Sequence, residues 1–403
     1  MSQRIVIVGA GHAAGEFCAA LVQDGFNGTI TLIGDEPHLP YQRPPLSKAY
    51  LTGDLERDRL FLRDADFYDQ HRIALRLKTA ATDINRAEKT VALDNGESVP
   101  YDTLVLLTGA RVRKLDCPGA DLPGVCYVRS IADTDGLAST LAAGQRTVVV
   151  GGGYIGLEVA ASARKLGLDV TVLEMMPRLL ARVASEPFSA DVMALHHSHD
   201  VDVRCSAGLS EILGDGRVKG VRLADGSVLE ADHVIVGIGV IANDEIATRA
   251  GLKAGNGILV DATGRTSDPS IFAAGDVARF DHKIYGSIRL ESVQNAVEQA
   301  KVCAETIRGE TVSYDPVPWF WSDQYEGRIQ LAGLGTGYDN AVRRPGKRNG
   351  TGSVWLYRNG AFIAVEALND APSYMMGKRW LEQGATPAPE RIADPEIKIK
   401  DVV

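Results

Sequence analysis

Two stretches of this chain share one pattern, and together they constrain the fold more than any other feature. In the first, the β-branched run Arg4-Ile5-Val6-Ile7-Val8 enters Gly9-Ala10-Gly11-His12-Ala13-Ala14-Gly15. Gly9 permits a tight turn, Gly11 lets a pyrophosphate approach the backbone, and Ala14 is small enough for the following helix to lie close to the strand. The start of that helix offers unpaired N–H groups and a partial positive charge to phosphates. One such fingerprint is a weak signal. The second is Thr147-Val148-Val149-Val150, followed by Gly151-Gly152-Gly153-Tyr154-Ile155-Gly156. Two strand–glycine–helix units in one chain predict two bound dinucleotides, and so electron transfer between two cofactors.

The bulk properties fit that reading. A length of 403 residues suggests two or three domains with ample core. The net charge of -9 argues against a nucleic-acid partner. No apolar run approaches the roughly 18 residues a membrane helix needs, and Met1-Ser2-Gln3 leads straight into a strand, so the expected compartment is the cytoplasm. Cys18, Cys117, Cys126, Cys205 and Cys303 form no closely spaced pair, which predicts reduced thiols and no redox disulfide. His196, His197 and His199 beside Asp200 hint at a metal, but a solvated helix end is the favoured reading.

Taken in order, the first unit is a strand at Arg4–Val8, a helix from Gly11 to Asp24 and a strand at Thr29–Ile33. An acid after the second strand accepts hydrogen bonds from a ribose diol; Asp35 is the first choice and Glu36 the alternative, unless both only cap a turn. In Leu39–Lys48 three prolines stiffen the backbone and exclude regular structure until Ser47. Such a loop can place Arg43 and Lys48 accurately, where a cation would favour electrons on a flavin ring and hold a carboxylate; otherwise both are solvated surface charges. A helix and a short strand follow over 55–80, then a hairpin over Thr90–Tyr101 and a buried strand at Leu104–Leu107. The second unit runs from Arg146 to Glu174, and Glu174 closes the strand Asp169–Leu173 where an adenosine ribose is contacted. A hairpin around Asp225-Gly226 precedes Val234-Ile235-Val236-Gly237-Ile238-Gly239. Asp276 follows Gly275 at the end of the strand Ile271–Ala274 and faces the first cofactor if that strand returns to the first sheet. Glu291–Arg308 reads as helix. Beyond about residue 315 aromatic strands, a turn at Arg358-Asn359-Gly360 and a helix around Tyr374–Gln383 make a smaller third domain.

These elements, with Pro40–Lys48, Gly151–Glu158, Gly275-Asp276, Arg289–Ala296 and Pro318–Gln324, make the chain resemble the NADH-dependent ferredoxin reductases of bacterial oxygenase systems. The resemblance implies an α/β fold of two Rossmann-like dinucleotide-binding domains of the flavin disulfide-reductase type plus a small α+β C-terminal domain. Its implied boundaries are 1–110 with 240–315 for FAD, 111–239 for NADH and 316–403 for the last domain. FAD contacts would fall on Gly11, Ala14, Asp35, Arg43, Lys48, Ala81, Arg129, Asp276, Val293 and Trp321. NADH contacts would fall on Gly153, Tyr154, Ile155, Glu158, Glu174 and Gly239. Two departures from the family pattern are Ala242, where proline is usual and whose absence should loosen the loop, and Ala81, where valine is frequent.

The implied mechanism is hydride transfer from NADH to FAD, then single electrons to a two-iron two-sulfur ferredoxin that feeds a haem monooxygenase or Rieske dioxygenase. Lys48, Glu158 and Trp321 are the candidate catalytic groups. Glu158, two residues past Gly156, is expected in the first helical turn, where an acid also gains from the helix dipole. Trp319 and Trp321 share a face if their segment is extended. An NADH oxidase would need a reactive cysteine in Pro40–Lys48, which has none; a flavoprotein related to apoptosis-inducing factor fits a chain of charge -9 poorly. Docking an acidic ferredoxin needs a local basic patch. Arg343, Arg344, Lys347 and Arg348, read as an exposed hairpin tip, are the candidates, with Lys378, Arg379 and Arg308 in addition.

Overall fold

The computed structural model describes residues 3–23 and 25–403. The backbone divides into two compact units. One comprises the N-terminal residues through Arg43, Glu56–Arg111 and Val240–Pro316; the other comprises Pro44–Leu55, Val112–Gly239 and Val317–Val403.

The first unit is built on a parallel sheet ordered Ile271–Ala273, Thr103–Leu106, Gln3–Val8, Gly28–Ile33, Ile73–Arg76. Val8 lies level with Ile33 on one side and Leu106 on the other, so these strands end together. Ile5-Val6-Ile7-Val8 is buried throughout, as a central parallel strand covered on both faces must be. The helices His12–Val22 and Val293–Ile307 join one core cluster through Ala14, Cys18, Ala296 and Ala300, side chains small enough to let two backbones approach. The strand at Ile271 does return to this sheet. The first helix ends at Val22; Asp24, where it was expected to end, lies outside the described residues. Ser292 caps the later helix by accepting from the Asn295 N–H, so Glu291 lies before it. The hairpin at residue 90 has a further strand, Ala81–Asn85, paired antiparallel to Thr90–Leu93, which the sequence did not suggest.

The second unit repeats the plan. Its parallel sheet is ordered Asp202–Arg204, Asp169–Leu173, Arg146–Val150, His233–Val236, Val125–Tyr127. An antiparallel sheet follows from the C-terminal residues, ordered Trp319–Gln324, Gly327–Gly333, Ala361–Leu368, Gly352–Arg358, Asn340–Pro345. Helix Ala371–Gln383 seals it, with Trp380 against Trp355 at 5.4 Å between ring centroids.

The proline loop departs from expectation. Pro44–Ser47 forms a turn of 3-10 helix. Two prolines at its start have φ already set for helix and no N–H to lose, so they nucleate the turn instead of forbidding it. This turn is anchored within the second unit: Ser162 Oγ donates to the Ser47 carbonyl at 2.7 Å and Tyr50 donates to Asp135 at 2.6 Å.

The expected basic hairpin tip is also corrected. Arg343 and Arg344 lie in the strand Asn340–Pro345, and only Lys347 and Arg348 of the four stand in the exposed turn. Arg344 is 8% exposed and donates to the carbonyls of Ile392 and Asp394 at 2.9 and 2.8 Å and of Ile397 at 2.5 Å. It clasps the C-terminal segment. Strand alternation turned it inward, which a count of charges cannot show. Arg343 is exposed but ion-paired to Asp191. Arg344→Ala strands three carbonyls, so it should cost about 2–4 kcal/mol in chemical denaturation, whereas Lys347→Ala should change stability by less than about 0.5 kcal/mol.

Candidate functional site

Each fingerprint forms the turn its glycines permit. Gly9 has φ +107°, and a Cβ there would stand 2.2 Å from the Leu107 carbonyl oxygen. Gly151 repeats this at φ +109°, 2.5 Å from the Gly237 oxygen. By contrast, a Cβ on Gly11 or on Gly153 would meet no described atom within 4 Å. Packing therefore does not demand glycine at those two positions; room beside the backbone does.

Gly11 and Gly153 are the N-caps of helices His12–Val22 and Tyr154–Lys165, and among the described residues neither helix has a side-chain cap or an acid in its first turn. Helices Ile131–Ala138, Glu186–His197, Val293–Ile307 and Ala371–Gln383 are all capped by a serine or aspartate side chain. Helices Glu245–Arg249 and Pro389–Ala393 have no side-chain cap either, but each carries an acid in its first turn. The starts of helices His12–Val22 and Tyr154–Lys165 carry neither, so their N–H groups and positive ends are open to an anion. His12 Nδ1 and the Tyr154 hydroxyl, each on the first residue of its helix, are buried with no protein partner among the described residues. A pyrophosphate at each turn fits these features, and so do the dinucleotides expected from the sequence.

Around the first turn, Ala14 is fully buried against the sheet and Asp35 is exposed after the second strand. Glu36 is engaged elsewhere: its carboxylate accepts from Tyr41 at 2.6 Å and pairs with Arg43 at 2.7 Å, and these partners hold it below the usual carboxylate range despite burial. Arg43 is fixed by this pair and lies over the Tyr41 ring at 5.0 Å. Gly275 donates its N–H to Gln299 at 2.9 Å, and the Asp276 carbonyl accepts from Arg289 at 2.9 Å. Ala81 opens its strand and Val293 opens its helix. Ala242 does not loosen its segment. It is 2% exposed, and the adjacent Asn243 exchanges bonds with Thr108, two of them at 2.8 Å.

Around the second turn, Glu174 accepts from the backbone N–H groups of Gly152 and Met176, each at 2.7 Å. The nearby cation Arg178 donates to the carbonyls of Ala181 at 3.0 Å and Ser185 at 3.4 Å. Tyr154 packs on Phe320 at 4.6 Å, Ile155 is exposed, and Gly156 is buried in the helix behind the turn. Gly239 has φ +95° and its carbonyl accepts from the Arg113 N–H. Arg129 lies just before helix Ile131–Ala138, its backbone N–H donating to Asp133 at 3.2 Å. Trp321 is half-buried, 5.6 Å from Trp319 on the same face of their strand.

Lys48 and Glu158 do meet. Lys48 Nζ lies 2.6 Å from Glu158 Oε2, and Glu158 is 2% exposed. Glu158 is the fifth residue of its helix and lies past the first turn, so the dipole argument made from sequence does not apply to it. Side chains hold it instead: Ser47 donates to Oε2 at 2.5 Å and Ser322 to Oε1 at 2.7 Å. Sequence reasoning missed both serines. The signal was available for Ser322, a polar residue on the opposite face of the strand from Trp319 and Trp321. His196 was missed as well. It is fully buried, not solvated, and hydrogen-bonded to Gln324 at 2.9 Å, and burial pushes it down to about 4.

Comparison with known proteins agrees with this geometry. Residues 3–300 match the family described as pyridine nucleotide-disulphide oxidoreductase, and residues 319–403 the one described as reductase C-terminal. Rhodocoxin reductase of Rhodococcus erythropolis is 45% identical over 98% of this chain and 93% of its own length. A ferredoxin–NAD(P)(+) reductase of Sphingomonas sp is 46% identical over 98% of this chain and 97% of its own. Among solved structures, the covalent putidaredoxin reductase–putidaredoxin complex superimposes with a TM-score of 0.96 at 38% identity, covering 99% of this chain and 98% of that one. With two glycine fingerprint turns, a lysine paired to a buried glutamate and these full-length relatives, the chain belongs to the pyridine nucleotide-disulphide oxidoreductases, as one of the ferredoxin reductases of bacterial oxygenase systems.

Proposed function

We propose that this protein takes electrons from NADH through FAD and passes them singly to a two-iron two-sulfur ferredoxin serving an oxygenase. The observation that carries the reading is Lys48 paired to the buried carboxylate of Glu158 in a chain with two glycine fingerprint turns and no cysteine in the loop that carries Lys48. FAD, when bound, supplies the exchange between a two-electron hydride and single electrons.

The chain's own residues bind, orient and exclude water. Gly9, Gly11 and the open helix end after them receive the FAD pyrophosphate, with Ala14 keeping that helix close. Asp35 is the acid left for the FAD ribose, since Glu36 is engaged by Arg43 and Tyr41. Arg43, Ala81, Arg129, Gly275, Asp276, Val293 and Trp321 complete the FAD contacts. Gly151, Gly153, Tyr154, Ile155 and Gly156 receive NADH, Glu174 takes its adenosine ribose, and Gly239 lies at the nicotinamide edge. Glu158 contacts the nicotinamide amide, and Lys48 neutralises Glu158 and faces the flavin. Ferredoxin docks through exposed cations of the C-terminal residues, Lys347 and Arg348 first, with Arg343 and Arg379 in addition. The cytoplasm, where unpaired thiols stay reduced, suits the five cysteines.

Stopped-flow reduction by NADH tests the pair. Glu158→Ala should slow flavin reduction by roughly 10–100-fold with FAD retained, since a misplaced reacting group costs rates of that order. Lys48→Ala should weaken FAD retention and lower the flavin potential, because a cation favours the reduced anion. Wild-type reduction in both variants would leave the pair structural.

Coenzyme choice follows from Glu174. A 2′-phosphate would meet its carboxylate as a like charge, which costs several kcal/mol, so kcat/KM should favour NADH over NADPH by at least about a hundredfold. With its guanidinium on two backbone carbonyls, Arg178 is not available to rescue the phosphate. Comparable values for both coenzymes would refute the assignment.

The docking face is tested by salt. Its field reaches about 10 Å at 0.1 M salt and about 3 Å at 1 M. Turnover with ferredoxin should therefore fall steeply with salt, while turnover with a neutral quinone stays level. Reversing Lys347 and Arg348 to glutamate should lower kcat/KM for ferredoxin and flatten its salt slope; an unchanged slope moves the docking site elsewhere.

A further inference from the structure

The antiparallel sheet brings a second set of polar side chains to Glu158. On the strand Trp319–Gln324, Ser322 and Gln324 point to one face, two residues apart, and both are fully buried. Gln324 reaches His196 in the last turn of helix Glu186–His197, also fully buried. The links are Ser322 Oγ to Glu158 Oε1 at 2.7 Å, Gln324 Nε2 to Ser322 Oγ at 3.0 Å, and His196 Nε2 to Gln324 Oε1 at 2.9 Å. Tyr325 closes the far end, its hydroxyl 3.4 Å from His196 Nδ1.

We propose that His196, Gln324 and Ser322 are positioning residues: a one-directional hydrogen-bond chain that fixes the orientation of the Glu158 carboxylate at the nicotinamide. The inference rests on the reading above that Glu158 meets the nicotinamide.

The direction follows from counting hydrogens. Glu158 accepts from Lys48 and Ser47 on Oε2 and from Ser322 on Oε1. The single hydroxyl hydrogen of Ser322 is thereby used, so its oxygen must accept, and only the amide nitrogen of Gln324 can donate to it. That leaves the amide oxygen for His196, whose Nε2 must carry the hydrogen. Burial keeps the imidazole neutral, with one hydrogen to give, and Nδ1 is then an acceptor facing the Tyr325 hydroxyl. Every hydrogen in the chain points towards Glu158.

The arrangement has a consequence for geometry. Among the described residues, Lys48 and Ser47 both hold Oε2, while Ser322 is the hydrogen-bond donor on Oε1. Without Ser322 the carboxylate is tethered at one oxygen and can swing about its last torsion. Gln324 and His196 matter because they leave the Ser322 hydrogen no other acceptor. A glutamate at position 324 would have no hydrogen to give Ser322 and would compete for the one it has.

The test uses the FAD-loaded protein with Ser322→Ala, Gln324→Glu, Ser322→Thr and Glu158→Ala. Three quantities are read: the limiting rate of flavin reduction at saturating NADH, the equilibrium affinities for NAD+ and for ADP-ribose, and the melting temperature. ADP-ribose lacks the nicotinamide, so a disturbance confined to Glu158 leaves its binding alone. Ser322→Ala and Gln324→Glu should each lower the limiting rate roughly tenfold, within the range a small misplacement costs. Each should also narrow the preference for NAD+ over ADP-ribose, with ADP-ribose affinity unchanged, and Ser322→Thr, which keeps the hydroxyl, should restore both. If Ser322→Ala and Gln324→Glu match wild type while Glu158→Ala is slow, the chain is not a positioning device and the nicotinamide reading stands. If Glu158→Ala also matches wild type, the nicotinamide reading fails and the inference with it. Equal loss of NAD+ and ADP-ribose affinity, with a lowered melting temperature, would make the residues structural and overturn the proposal.

Discussion

The buried carboxylate of Glu158 is the constraint around which the second unit is arranged. A charge out of water is costly unless it is paired and hydrogen-bonded, and removing one partner of such a pair costs about 3–5 kcal/mol. The fold meets that demand from three separate places in the chain. Lys48 and Ser47 come from the proline turn, Ser322 comes from the antiparallel sheet, and Glu158 itself lies on the fingerprint helix. Residues 44–55 and 317–324 are thereby tied to the second nucleotide unit by one side chain. Glu366 is a second buried carboxylate of this unit. Its bonded donors are the amide and hydroxyl of Ser185, both neutral, and burial pushes it up to about 7.

The helices that start at Gly11 and Gly153 express the opposite choice. Five of the nine α-helices among the described residues are closed by a serine or aspartate side chain, a cap that contributes about 1 kcal/mol relative to alanine. Glycine at the same place gives up only a few tenths of a kcal/mol and leaves the N–H groups without a side-chain partner. At Gly11 and Gly153 the space beside the backbone is open as well, which leaves room there for an anion.

What the sequence revealed and what it hid divide along physical lines. Strands buried on both faces and glycines with forced geometry are local properties, so Ile5–Val8, Gly9 and Gly151 were legible. Contacts between distant segments were legible only where chemistry singled out the residue, as with Lys48 and Glu158. Ser47, Ser322, Gln324 and His196 are common polar residues, and only the third dimension brings them together. The corrected features share that origin. Arg344 looked like surface charge because the register of its strand was unknown, and the proline turn looked irregular because proline forbids a helix interior but favours a helix start.

The family is named for a disulfide that this chain does not form. Cys18, Cys117, Cys126, Cys205 and Cys303 are unpaired among the described residues, and burial pushes the Cys18 and Cys303 thiols up to about 12, far from the thiolate that thiol exchange requires. None stands in the proline loop, whose end is occupied by Lys48. In place of a sulfur that accepts electrons, the chain carries a cation held by a buried carboxylate. Such a pair stores no electrons. Electrons that arrive as a hydride must therefore leave from the flavin itself to an external acceptor. In the ferredoxin reductases to which this chain belongs, that acceptor is a ferredoxin.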